Sequence, residues 1–384
     1  MPKLNEAIYL CAALRTPIGK FGGALAKLTA ADLGVESAKA TIARSGIDPN
    51  AIDEVIFGNA RQAGVGPNVA RQIAIRSGLR HEVPAYTVNQ ACGSGLRAIM
   101  NAADQIRLGH ASVVLAGGTE SMSNTPYLVP RARWGMRMGH GELVDGMYRD
   151  GFLCPLADEM MGATAETLAD RYNITRDEQD QFALESQQKA SRANFDGEIV
   201  PLAQLDHDEH PRFDTDLGSL AKLQPVFRKN GTVHAGNSSG VTDGASSMIV
   251  ASSDAVKKHN LDPLARIAGY AQAGVDPKIM GIGPVPATKK LLDETGKSLD
   301  DIDLIELNEA FAAQVIACER DLHFDRAKLN VHGGAIALGH PIGATGARIT
   351  TTLLHALRKH DKKLGLATLC ISGGMGLSML VERA

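Results

Sequence analysis

In Thr87-Val88-Asn89-Gln90-Ala91-Cys92-Gly93-Ser94-Gly95-Leu96 a short apolar run stops at a cysteine and a helical pattern begins. Residues 83–88 read as a buried strand. Leu96, Ile99, Met100, Ala103 and Ile106 then recur at three- and four-residue spacing until Gly109, so a helix follows. This places Cys92 at a helix N-terminus, where unpaired N–H groups and the positive end of the helix dipole favour an anion. The thiol is therefore expected to be biased towards thiolate. Gly93 and Gly95 are expected to let a substrate carbonyl approach the sulfur and its neighbouring amides. Taken alone, the stretch fits a small buried hydrophobe equally well, because free cysteine is among the most buried residue types.

Composition narrows the class. Forty basic and 43 acidic residues leave a net charge of −3 over 384 residues, so no global pull towards nucleic acid or an anionic membrane is indicated. Forty glycines, 44% apolar and only 4% aromatic residues suit close-packed α/β layers with tight strand-to-helix turns. Five cysteines without paired spacing argue for reduced thiols. The first sixteen residues read as a strand, no later run reaches transmembrane length, and the C-terminal Leu380-Val381-Glu382-Arg383-Ala384 is not a peroxisomal address. A cytoplasmic protein is expected.

Along the chain, Thr29 with Asp32 caps a helix that runs to Gly46. Residues 52–57 form a strand, Pro67 opens a helix to Ser77, and Val113-Val114-Leu115-Ala116-Gly117-Gly118 is a strand buried on both faces. From Glu120 to Met161 the pattern breaks into methionines (Met122, Met136, Met138, Met147, Met160) among arginines and Trp134, an excursion that reads as an oligomer-contact and substrate-lid segment and about equally as a solvated surface loop. Thr175 and Glu178 form a capping box for another helix. The acidic stretch 206–216 has no metal-ligand spacing and reads as solvated surface. Near Ser246 regular α/β texture resumes as a repeat: 302–310 echoes 52–60, and 366–374 echoes 112–118, each of the latter ending in paired glycines. Residues 1–119 and 246–384 are therefore expected to be two similar α/β halves around an inserted segment, 120–245, with equivalent strand ends meeting at a pseudo-twofold centre.

The second half supplies partners for Cys92. Gly339-His340-Pro341-Ile342-Gly343 puts a histidine before a proline expected at the first helical position, and a neutral imidazole there can take the Cys92 proton. Cys370 ends a buried strand before Ser372-Gly373-Gly374. Asn308, in Asn308-Glu309-Ala310-Phe311, offers a neutral donor to a developing oxyanion, directly or through water. Glu309 reads equally as an orienting group or as a carboxylate at a helix start. Two cysteines with His332 and His340 lack any short ligand element, so no metal site is expected.

Asn89-Gln90-Ala91-Cys92-Gly93-Ser94-Gly95, Asn308-Glu309-Ala310-Phe311, Gly339-His340-Pro341-Ile342-Gly343 and Cys370-Ile371-Ser372-Gly373-Gly374 occur in the order of the thiolase family, which the chain resembles along essentially its whole length. The resemblance implies an α/β chain in a five-layered αβαβα fold from two repeated halves with an inserted loop domain that holds coenzyme A, assembled as a homotetramer or a homodimer. It implies that Cys92 takes the acyl group, His340 activates it, and Cys370 moves the proton at the substrate's α-carbon. Asn308 with His340 would stabilise the enolate-like oxygen, and the amides of Cys92 and Ser372 would hold the acyl-enzyme oxyanion. Met161, Arg212, Ser219, Asn237, Ser239, Met280 and Phe311 would line the site for coenzyme A or acyl-CoA, bound as substrate with no covalent cofactor.

Two positions depart from the family's pattern. Glu159-Met160-Met161-Gly162 stands where acetoacetyl-CoA-preferring members usually carry His before Met-Gly, and Ser372 replaces the usual glycine, so its amide can donate only at negative φ. The alternatives are a longer-chain 3-ketoacyl-CoA thiolase, a ketoacyl synthase-like enzyme and a non-catalytic CoA- or lipid-binding scaffold. Synthases place histidines where Asn308 and Cys370 stand. Convergence of Cys92 and Cys370 also raises the expectation that oxidation could pair them.

Overall fold

The computed structural model describes residues 6–384; residues 1–5 of the expected first half lie outside the described residues. In chain order the first half is built from β1 (Ile8–Arg15), α1 (Ala30–Ser45), β2 (Glu54–Gly58), α2 (Val69–Arg76), β3 (Ala85–Val88), α3 (Ser94–Arg107) and β4 (Val113–Ser121). An excursion carrying α4 (Met161–Arg171) and α5 (Arg176–Arg192) follows. The chain then continues through β5 (Thr242–Ser252), β6 (Pro263–Gly274), α6 (Pro284–Thr295), β7 (Leu304–Leu307), α7 (Ala312–Leu322), α8 (Ile342–Lys359), β8 (Leu364–Ile371) and β9 (Met375–Arg383).

The strands follow one hydrogen-bonded path, β7-β8-β9-β6-β1-β5-β4-β2-β3. Outward from the central β1–β6 pair the two arms read alike. β1–β5 and β5–β4 are antiparallel and β4–β2 parallel; β6–β9 and β9–β8 are antiparallel and β8–β7 parallel. The first arm ends in β3, parallel to β2, and the second in a single parallel bridge from Ile305 to Leu329. This is the repeat read from sequence. Between the two arms the strands pair only briefly and irregularly, at Tyr9–Arg266, Leu10–Ala265 and Cys11–Pro263.

Side-chain alternation along the strands sorts the core into layers. Val114 and Ala116 of β4, Met248 and Val250 of β5, and Leu369 and Ile371 of β8 face one central cluster with Leu96, Ile99, Ile349 and Leu353 of helices α3 and α8. The alternate residues Val113, Leu115, Ile249 and Ala251 face outward onto α1 and α2. On the other side Leu364, Leu366 and Leu380 face α6 and α7. Helix, sheet, helix pair, sheet and helix make five layers, and α8, enclosed between two sheets, has all but three of its 18 residues buried.

Three local expectations are corrected. Pro67 does not open α2; Asn68, at φ 45°, caps it by accepting from the Arg71 amide. Strand β5 spans the 245/246 junction between β1 and β4, so the first arm's sheet continues to Ser252. The 206–216 stretch is not merely solvated surface, because the buried Arg15 holds Asp208 at 2.7 Å and Glu198 at 2.6 Å. The capping boxes at Thr29 and Thr175 form as expected.

Candidate active site

Cys92 lies in a tight turn between β3 and α3. Asn89 Oδ1 accepts from the Ala91 amide, and Ser94 Oγ accepts from the Gln90 amide while donating to the Ala91 carbonyl. These bonds hold Ala91 at φ 45° and turn the partly exposed Cys92 into a cavity of about 70 Å³. Gly93 caps α3, so Cys92 precedes the cap, and the Gly93 and Ser94 amides close the turn onto Gln90 and Ala91. The expected helix-terminus effect is therefore outweighed. Burial raises the thiol's pKa, opposed by the Arg61 cation and by the amides of Ser372 and of Cys92 itself. Nor do the glycines face substrate. A Cβ on Gly93 would meet Ile371, and one on Gly95 would lie 2.7 Å from the Ala347 amide of α8.

His340 and Cys370 line the same cavity. The cap of α8 is Pro341, so His340 is two residues ahead of the first helical position. Its Nδ1 lies 2.6 Å from Thr345 Oγ1, whose own hydroxyl donates to the Pro341 carbonyl. With the Thr345 hydroxyl donated to the Pro341 carbonyl, Nδ1 carries the proton and Nε2 presents a lone pair; Nε2 is buried and has no partner. Burial first, then the Arg348 and Arg61 cations, pushes His340 down to about 3 and keeps it neutral. Cys370 is 1% exposed, and burial first, then the Cys92 charge, raises its thiol well above the ordinary range. Both cysteines are free thiols. Ser372 has a negative φ, the left-handed positions of its turn falling on Gly373 and Gly374 at 85° each.

Asn308 is buried and does not itself line the cavity, as Ala310 and Phe311 do; both its amide atoms are unpartnered, a costly arrangement of about 1–3 kcal/mol unless water or substrate supplies the missing bonds. Glu309 orients neither Asn308 nor Cys370. It accepts from Ser186, Asn330 and the Ile336 amide, and so fixes the segment leading to His340.

A family model described as thiolase, N-terminal domain, matches residues 8–254, and one described as thiolase, C-terminal domain, matches 261–383. The chain belongs to the thiolase family of acyltransferases. It is 50% identical to acetyl-CoA acetyltransferase of Pseudomonas aeruginosa over 98% of this chain and 100% of that protein. It is also 50% identical to acetyl-CoA acetyltransferase of Escherichia coli, over 97% and 98% respectively. The crystal structure of human mitochondrial 3-ketoacyl-CoA thiolase in complex with CoA superposes with a TM-score of 0.97 at 46% identity, covering 99% of each chain.

Of the residues expected to contact coenzyme A in this thiolase, Met161, Ser239, Met280 and Phe311 line the cavity. Arg212 and Ser219 are exposed and stand apart from it, Ser219 closing a capping box with Asp216. Asn237 is fully buried, and its amide is committed to Asp180, the Thr232 carbonyl and the His234 amide. Sequence reasoning missed Glu120 and Arg61. The Glu120 carboxylate accepts from the Asn59 side chain and the Ala60, Arg61 and Gly343 amides, tying the loop after β2 to the start of α8. The signal available was a carboxylate, Glu120, two residues beyond the apolar run that ends in Gly117-Gly118. Among the described residues no group of three or more His, Cys, Asp or Glu could hold a metal ion, and no helix is long and apolar enough to cross a membrane.

Proposed function

We propose that this thiolase interconverts two acetyl-CoA with acetoacetyl-CoA and coenzyme A through an acyl-Cys92 intermediate. The observation that carries the reading is the meeting of two thiols with the unpartnered lone pair of His340 Nε2 in one cavity. In the condensation direction His340 takes the Cys92 proton, the sulfur attacks the thioester carbonyl, and the carbon–sulfur bond to coenzyme A breaks, the proton following the leaving thiolate. Cys370, having passed its own proton to the vacated His340 Nε2, then removes the α-proton of the second acetyl-CoA as a thiolate. The carbanion attacks the acyl-Cys92 carbonyl, and Cys92 leaves as thiolate and recovers the proton held on His340. Asn308, through a water, and His340 stabilise the enolate oxygen, while the Cys92 and Ser372 amides hold the acyl-enzyme oxyanion. Two unlike thiols give the step a nucleophile and a separate base.

Met161, Ser239, Met280 and Phe311 would contact the pantetheine arm, Arg212 and Ser219 the outer part of coenzyme A, and Asn237 would support the turn before Ser239. Intact mass after mixing with acetyl-CoA, with free coenzyme A removed, tests the roles. An adduct is expected on the wild type and on Cys370→Ser, and none on Cys92→Ser. Equal loss of acylation in both variants would overturn the division of roles.

A second reading, preference for longer 3-oxoacyl-CoA, is favoured by Met160 standing where the short-chain pattern has His. Faster thiolysis of 3-oxooctanoyl-CoA than of acetoacetyl-CoA would select it. We also propose a cytoplasmic homotetramer, with a homodimer as the smaller alternative. Five free thiols support a reducing compartment, and the exposed Trp134, Met138 and Leu143 of the excursion support subunit contact. A monomeric mass by light scattering would sink the assembly.

A further inference from the structure

We propose that Arg61 is a positioning residue of this thiolase, its guanidinium serving as the fixed counter-charge for the anion that forms at Cys92, first as thiolate and then as acyl-enzyme oxyanion. The inference rests on the reading that Cys92 carries the acyl group. Arg61 follows β2 and is 7% exposed, yet it lines the cavity with Cys92, His340 and Cys370.

Its placement is built in from both ends. The backbone amide donates to Glu120 at 3.1 Å, and the same carboxylate receives the Gly343 amide at 2.8 Å, so Arg61 is referenced to the helix start beside His340. At the other end Nη1 donates to the Asp150 carbonyl at 2.8 Å. Gly151 leaves room for it there, since a Cβ would lie 2.5 Å from Nη2 and push the guanidinium aside. That carbonyl is neutral, and the buried Nε has no partner at all. A buried cation without a full complement of partners is destabilising until an anion forms beside it.

The charged and titratable groups around it come from four elements. Glu120, from the end of β4, is the carboxylate facing it, but that charge is already spread over four N–H donors. Cys92 comes from the turn before α3, Cys370 from the end of β8, and His340 from the turn before α8. Of these, Cys92 is the group that must become anionic for acyl transfer. The cation favours a negative sulfur and opposes a positive His340. The proton lifted from Cys92 is thereby kept from resting on the imidazole and is passed to the leaving thiolate.

The test is the pH dependence of Cys92 alkylation by iodoacetamide, with the adduct located by peptide mass, in wild type, Arg61→Met, Arg61→Gln and Arg61→Lys. Loss of the charge is expected to raise the midpoint by about one unit or more, with the wild-type midpoint largely restored in Arg61→Lys. Arg61→Gln retains a donor for the Asp150 carbonyl and decides the matter where Arg61→Met fails to fold. An unchanged midpoint in a folded neutral variant overturns the proposal and leaves Arg61 as a strut for residues 150–151. Alkylation needs no turnover, so it reads this proposal even where the acetyl-CoA mass experiment fails.

Discussion

His340 and His332 make the folded state sensitive to acid. Both are buried in the segment that Glu309 braces; burial first holds His332 at about 4 and His340 at about 3. For His332, Glu198 pulls the other way, while Lys359, His360 and His355 add to the depression. An unfolded imidazole takes its proton near 6.5, so between that pH and the folded values the unfolded state binds more protons. Stability is therefore complete above about pH 6.5 and is lost as pH falls towards 4, by about 2 kcal/mol per histidine at pH 5. Urea unfolding at pH 7.5 and pH 5 should show His332→Gln losing about 2 kcal/mol less than wild type between the two. Equal losses would mean that His332 titrates normally. The residue types of the site were legible from motif order, but protonation was not. The tautomer of His340 depends on where the Thr345 hydroxyl points, and the state of Cys92 on burial that no local stretch reveals.

At the level of elements, α3 and α8 cross where glycines face each other's backbone. A Cβ on Gly346 would stand 2.2 Å from the Leu96 amide and 2.7 Å from Leu96 Cβ, so the helices cannot hold this approach with any side chain there. The start of α3 follows the Cys92 turn and the start of α8 follows His340, so this crossing sets the spacing of nucleophile and base. Gly346→Ala is expected to destabilise the fold by roughly 1–3 kcal/mol through overpacking and to slow Cys92 acylation. Calorimetry with stopped-flow acylation checks both; an unshifted melting temperature would mean that the helices part without cost. The sequence showed α3 through its apolar period and α1 and α5 through their capping boxes, because those signals are local. It suggested a substrate-facing role for Gly95, since the need for a bare backbone arises from a helix some 250 positions downstream. Pro67 misled for a related reason: Asn68 caps α2 from a left-handed conformation that composition does not disclose.

Across the whole molecule, the excursion after β4 is fastened to the layered core by one fully buried arginine. Arg15, at the end of β1, binds Glu198 at 2.6 Å and Asp208 at 2.7 Å through its guanidinium, which also lies 4.9 Å from the Phe195 ring centroid. Backbone bonds between Arg15 and both Glu198 and Val200 add a second fastening, and Thr352 of α8 donates to Glu198. The two repeated arms were visible as echoes within the sequence. This clamp was not, because its members are more than 180 positions apart and the acidic stretch has an ordinary surface composition. Arg15→Met leaves two buried carboxylates without their cation and should cost about 3–5 kcal/mol. The loss should begin in the excursion, since the core strands keep their ladders while the 195–212 segment loses its anchor. Thermolysin digestion under native conditions, followed by mass spectrometry, should therefore show new cleavage within 195–212 before any in the strands. If the variant is destabilised but its first cuts fall elsewhere, Arg15 acts through the core as a whole and the excursion is held by its other contacts.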